Sequence, residues 1–188
     1  DSKFTISHLG SLLTGRNPIT LWKVLQELVN ERPEFAKQLS IQLAGVVGEE
    51  VWESIGQHGL QSYTNQLGYL PHEQVVKVQQ KSQILLLLEI ASEETKGIVP
   101  GKLFEYLNAR RPILALGPTD WEAGRIVQDT KAGISLSVND KAALKNVLLD
   151  WFEQFKKGGF SANSIGIEKF HRRELTKELV NFIAWESS

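Results

Sequence analysis

The stretch Lys96-Gly97-Ile98-Val99-Pro100-Gly101-Lys102-Leu103-Phe104-Glu105-Tyr106-Leu107-Asn108-Ala109-Arg110-Arg111-Pro112 decides how this chain reads. A loop bearing glycine and proline breaks into a short helix from Lys102. The apolar run 84–88 precedes the loop, and a second run, 112–116, follows the helix. Strand, helix and strand in this order make a βαβ unit, the building block of a parallel sheet. Lys102 is ill placed by ordinary helix physics, because a helix N-terminus carries free N–H groups and partial positive charge. A lysine is sensible there if an anion such as a phosphate binds too.

Outward from this segment the same alternation continues. Strands are expected at 4–9, 41–44, 66–70, 84–88, 112–116 and 133–138. Helices are expected at 18–30, 49–58, 72–81, 102–109, 121–130 and 140–157, with a last amphipathic, charged helix over about 168–185. Pro18 suits a first helical turn, and Asp140 suits an N-cap. The fold class is therefore α/β, a doubly wound open parallel sheet of about six strands, Rossmann-like. Residues 1–160 are expected to form this unit, and 161–188 a C-terminal helix. Ligands of such sheets bind beyond the carboxyl ends of the strands, where the strand order reverses.

Bulk properties narrow the classes. The chain has 188 residues, 41% apolar and 23% charged, with a net charge of −1. That size fits one domain, and the near-zero charge gives no reason to expect nucleic acid or an anionic membrane surface as a partner. There is no cysteine, so neither disulfides nor thiolate chemistry enter. There is also no methionine. A complete gene product begins with one, so an excised domain with a partner domain beyond it is the expectation.

Candidate chemistry clusters in the loops after the strands. Gly10-Ser11-Leu12-Leu13-Thr14-Gly15-Arg16 lets a backbone or ligand approach at Gly10, and Arg16 can fork onto a phosphate or carboxylate. A turn with a solvated arginine is the plain alternative. Gly68-Tyr69-Leu70-Pro71-His72 closes a strand and opens a helix; His72 suits acid–base work or an exposed first turn, and the Leu70 backbone can meet a flat base edge. By helical phase, Lys102, Glu105 and Ala109 share one face, while Leu103, Phe104 and Leu107 turn to the sheet. Glu105 then presents a carboxylate able to accept both hydrogen bonds of a ribose diol. A Lys102–Glu105 surface pair is the competing account, worth a few tenths of a kcal/mol in the poorer order. His8, His58, His72 and His171 show no metal-ligand spacing. Trp121 is the tryptophan best placed for a ligand; Trp22, Trp52, Trp151 and Trp185 read as core or interface.

With these residues in view, the chain resembles the C-terminal, donor-binding domain of GT-B glycosyltransferases, above all the retaining, family-four-like group. The likeness runs through the Gly10 strand end, the Gly45 strand end, Gly68-Tyr69-Leu70-Pro71-His72, the 84–88 strand, Gly97 to Leu107, and Arg111-Pro112-Ile113-Leu114-Ala115. It implies a nucleotide diphosphate sugar as donor. Glu105 would hold the ribose, and the Leu70 backbone would read the base. Gly10, Ser11 and Arg16 would lie against the diphosphate. Gly97, Val99, Pro100, Gly101, Lys102 and Leu103 would cradle phosphates and sugar. Arg16 and Lys102 take the catalytic role of neutralising the leaving diphosphate, with no metal and no cofactor. An N-terminal half would bind the acceptor, a saccharide or lipid, and the C-terminal helix would pack toward that half. The implied setting is cytoplasmic, or peripheral at the inner face of the membrane. One departure stands out: the family often has a second glutamate eight positions before the ribose-binding one, and here that position is Gly97. A nucleotide-sugar 2-epimerase half and a non-catalytic binding module share the architecture and remain alternatives.

Overall fold

The computed structural model describes residues 3–158, 160–170 and 176. Six strands form one sheet: β1 (Phe4–Leu9), β2 (Leu39–Ala44), β3 (Thr64–Gly68), β4 (Ile84–Leu88), β5 (Ile113–Gly117) and β6 (Gly133–Ser137). Their order is β3-β2-β1-β4-β5-β6, and every neighbouring pair is parallel. The chain winds outward from β1 in one direction and from β4 in the other. The switch point is therefore the β1–β4 seam, where Ile6 pairs with Ile84 and Ser7 with Leu85.

Helices cover both faces because β4 and β5 are apolar on both. The helices are α1 (Ile19–Glu31), α2 (Pro33–Gln38), α3 (Glu49–Gln57), α4 (His72–Lys81), α5 (Lys102–Ala109), α6 (Glu122–Asp129) and α7 (Lys141–Lys156). One core packs α1, α2, α3 and α7 on the sheet through Phe4, Trp22, Phe35, Leu148 and Phe152. The rings of Phe4 and Phe152 meet edge to face at 5.4 Å, and those of Phe35 and Phe152 at 4.9 Å. The other core packs α4, α5 and α6 through Leu85, Leu87, Leu103, Tyr106 and Val127. At the periphery Lys145 joins α7 to α1 through Glu27 (3.0 Å) and Glu31 (2.8 Å).

The elements depart from expectation at a few places, each for a local reason. β3 starts and ends two residues before the expected 66–70, because this edge strand opens with the polar Thr64 and Asn65. α2 has no counterpart in the sequence reading: its six residues, with Pro33 opening the helix, are too few to show a periodicity. Asp140 caps α7 as expected, its Oδ1 accepting from the Ala143 N–H at 3.0 Å. After α7, Phe160 packs on the first core and Ile167 is buried in the second. The Ile165 N–H donates to the Thr130 carbonyl at 2.8 Å. Ile167–Phe170 is a 3-10 turn, and the rest of the helix expected over 168–185 lies outside the described residues apart from Thr176. Among the described residues no helix is long and apolar enough to cross a membrane.

Gly133 shows how tightly β6 is set against β5. A methyl group there would lie 1.9 Å from the Ile113 carbonyl oxygen, which is ladder backbone and has nowhere to go. Gly133→Ala is expected to cost about 2 kcal/mol or more. A clear drop in the urea midpoint checks it; an unchanged midpoint refutes this steric account.

Candidate functional site

The carboxyl ends of β1, β2 and β3 and the first turns of α4 and α5 enclose a cleft of about 390 Å³. Its floor is backbone. Gly10 has φ 120° and Gly45 has φ 102°, conformations that side chains rarely adopt. The two glycines touch: a Cβ on Gly45 would lie 2.9 Å from the Gly10 carbonyl oxygen. A Cβ on Gly10 would in turn meet the Lys102 Nζ at 2.8 Å. The lysine therefore lies over the end of β1.

Tyr106 sets that approach. It is fully buried on α5, and its Oη accepts the Leu9 N–H at 3.1 Å, tying the helix to the last residue of β1. Burial holds its phenol well above the ordinary range. Tyr106 thus takes the sheet-facing place that the helical phase assigned to Phe104. Phe104 is 37% exposed and packs on Phe170, ring centroids 5.6 Å apart. Leu103 and Leu107 face the sheet as expected.

At the switch point Arg16 is already paired. Its Nε donates to Glu89 Oε1 at 2.9 Å and its Nη2 to Oε2 at 3.3 Å. Glu89 directly follows β4, and its side chain is only 2% exposed. Its Oε1 also accepts the Ile90 N–H at 2.9 Å. One edge of the Arg16 fork is thus spent on a buried carboxylate, leaving both Nη1 donors and one on Nη2 for a ligand. Burial pushes the Lys102 ammonium below its ordinary value; Arg16 adds to this, while Glu89 and Glu105 oppose it.

Glu105 is exposed on the cleft side of α5 and accepts a hydrogen bond from Gln79 Nε2 at 3.1 Å. Among the described residues it makes no ion pair with Lys102, so the surface-pair account does not hold. At the start of α5 the Leu103 N–H donates to Pro100 (2.9 Å) and the Phe104 N–H to Gly101 (3.2 Å). That leaves the Gly101 and Lys102 N–H groups without a backbone partner among the described residues, pointing to them as the donors of this helix end.

The structure brings Gly10, Leu70, Lys102 and Glu105 to the cleft wall. Ser11 is exposed in the loop beyond Gly10. Gly97, Val99, Pro100 and Gly101 form the loop leading into α5, outside the cleft lining, and the Leu103 side chain is core. A Cβ on Gly97 would meet nothing within 4 Å, so packing does not demand glycine there. Trp121 is corrected: it is buried, not open to a ligand, because its ring covers Gly117 and its Nε1 donates to the Ile98 carbonyl at 2.7 Å. With the Glu122 N–H donating to the Lys96 carbonyl at 2.8 Å, it pins the 96–101 loop to α6.

His8 is a further buried group. Its Nδ1 lies 3.0 Å from the Leu86 carbonyl, and its Nε2 is buried without a partner. Burial, helped by Lys102, lowers its pKa from 6.5 to about 4. The ring is therefore neutral at pH 7, with Nδ1–H donating to Leu86.

Among the solved structures, the chain is similar to WaaG, a glycosyltransferase involved in lipopolysaccharide biosynthesis, at TM-score 0.66 and 15% identity over 85% of this chain and 40% of that one. It is similar to Anabaena Alr3699/HepE, solved in complex with UDP, at TM-score 0.59 and 17% identity over 85% of this chain and 42% of that one. The C-terminal domain of a group 1 glycosyl transferase (LpcC) from Francisella tularensis matches at TM-score 0.60 and 12% identity, over 84% of this chain and 79% of that one. At these identities the likeness establishes the fold. The chain spans about two fifths of the length of the first two of these. No family model and no curated protein matches the chain.

Two measurements test this geometry. In a double-mutant cycle, Arg16→Gln and Glu89→Gln should couple by about 1–2 kcal/mol, less than for a fully buried pair because the Arg16 side chain is 39% exposed. A coupling near zero would show that the pair is incidental. For His8, the folded pKa lies below the unfolded one, so its share of stability is intact above pH 6.5. It is lost as the pH falls toward 4, by about 3 kcal/mol in all. Denaturant titrations at pH 7, 5.5 and 4 should show this slope in the native sequence and lose it in His8→Gln.

Proposed function

We propose that this chain is the donor-binding domain of a glycosyltransferase, which takes a sugar from a nucleotide diphosphate sugar and passes it to a saccharide or lipid acceptor held by another domain. The observation that carries the reading is the convergence of four features on one cleft at the switch point. They are the glycine floor at Gly10 and Gly45, the Lys102 ammonium over it, the α5 N-terminus, and the Glu105 carboxylate one turn on. In this reading the diphosphate lies between Lys102 and the β1–α1 loop, held without a metal by Lys102, the Arg16 Nη1 and the helix-end N–H groups. The ribose lies on Glu105. The base lies along Leu70, beside Tyr69, which is 90% exposed and lines the same cleft. As the bond to the sugar breaks, negative charge grows on the leaving diphosphate, and the two cations stabilise it.

The glycosyltransferases that share the fold, among them one solved with UDP, support the reading and make UDP the first probe. One observation favours a second reading, a non-catalytic nucleotide-binding module. The place of the family's second carboxylate is Gly97, although a Cβ there would meet nothing within 4 Å. Product analysis with the acceptor-bearing protein separates the two, since only the enzyme forms a glycoside.

Calorimetry with UDP, GDP and ADP tests donor binding directly. At least one is expected to bind with Kd below about 1 mM, equivalent to about 4 kcal/mol. Glu105→Ala should weaken it roughly tenfold, as loss of hydrogen bonds to a charged group does. No binding of any of the three at millimolar concentration would defeat the proposal.

A further inference from the structure

We infer that Gln79 is a positioning residue that orients the Glu105 carboxylate and thereby makes the cleft discriminate ribonucleotides from their 2′-deoxy counterparts. The inference rests on the donor-binding reading above and goes beyond it by assigning a role to a side chain on another helix.

Gln79 is the most buried residue of α4, 2% exposed, on a helix whose other side chains are half-buried or exposed. A buried amide is costly unless its hydrogen bonds are made, so an apolar residue is the ordinary occupant of such a position. Here Gln79 stands beside Val75 and Val78, and its Nε2 donates to Glu105 Oε2. The bond crosses between α4 and α5, 26 residues apart in the chain.

Glu105 needs such a partner. It borders both the main cleft and a smaller cavity of about 100 Å³, and His72 and Gln79 line both with it. Without the amide, a glutamate with rotatable χ angles has space on either side. It also has a competing partner one turn back, since Lys102 lies close enough for its charge to respond to Glu105. The Gln79 donor holds Glu105 away from that pairing. Lys102 is then left for an anion and Glu105 for hydroxyl donors. Each carboxylate oxygen accepts two hydrogen bonds, so one bond from Gln79 leaves the capacity to take both hydroxyls of a vicinal diol. A site built around a hydroxyl rejects the ligand that lacks it, because a polar group is then left unpaired.

The test compares UDP with 2′-deoxy-UDP by calorimetry on the whole chain. The native sequence should bind UDP about tenfold more tightly than the deoxy ligand. Gln79→Leu, which fills similar space without the donor, should shrink that ratio to about twofold or less while the deoxy affinity stays within about twofold. A merely structural role would weaken both ligands together and leave the ratio intact, which would overturn the inference. So would a native protein that binds UDP with no preference for the 2′-hydroxyl. Should Gln79→Leu not fold, Gln79→Asn keeps the amide but shortens its reach, and the same loss of ratio is expected. If neither UDP, GDP nor ADP binds the native chain, the donor-binding reading fails and this inference falls with it. If UDP binds and Gln79→Leu keeps the full ratio, only the inference fails.

Discussion

The cleft depends on one half-buried ion pair. The sheet reverses its winding between β1 and β4, and nothing in the backbone ladder joins the loops that leave these two strands. Glu89 does so. It stands at the end of β4, takes the Arg16 guanidinium from the β1–α1 loop, and accepts the N–H of the residue that begins its own loop. A carboxylate so buried is tolerable only with its partners in place. The pair therefore fixes the distance between the two loops that flank the switch point. It also sets the charge of the site, since Glu89 balances the Arg16 charge and, among the described residues, leaves Lys102 as the cation without an ion pair there.

Around this pair, α5 is aligned from below rather than from its exposed end. Leu103 and Leu107 seat it on the sheet, and Tyr106 fastens it to the last residue of β1. Lys102 and Glu105 are then placed by the phase of a helix whose opposite face is immobile. The loop ahead of α5 is fixed from the other side, by Trp121 and the first N–H of α6. Binding groups on short loops are thus held by the rigid elements that surround them.

Much of this was legible in the sequence. β4, α4 and α5 have the expected bounds, because a pure apolar run and two amphipathic stretches opened by Pro71 and by Pro100-Gly101 leave little choice. Lys102 and Glu105 stood out because a cation at a helix entrance conflicts with the helix dipole. Glu89 and Gln79 were not legible as partners, since each contact joins residues far apart in the chain. Weak local signals existed: a carboxylate directly after five buried aliphatic residues, and a glutamine in phase with Val75 on α4. Trp121 and Phe104 were misplaced for a common reason. Helical phase and loop position say which way a ring points, but not whether another segment, the 96–101 loop or Phe170, comes to meet it.

The contact between Gly10 and Gly45 has a consequence for how such a site diversifies. A floor made of main chain offers the same amide dipoles whatever the neighbouring sequence; a side chain at Gly45 would force two strand ends apart, and one at Gly10 would displace Lys102. Substitution can therefore alter the walls but not the base of the cleft. Under the proposed donor-binding role, ligand preference falls to Tyr69, His72, Gln79 and Glu105 around the cleft, and relatives built on this floor are expected to differ in base and sugar long before they differ in their hold on the diphosphate.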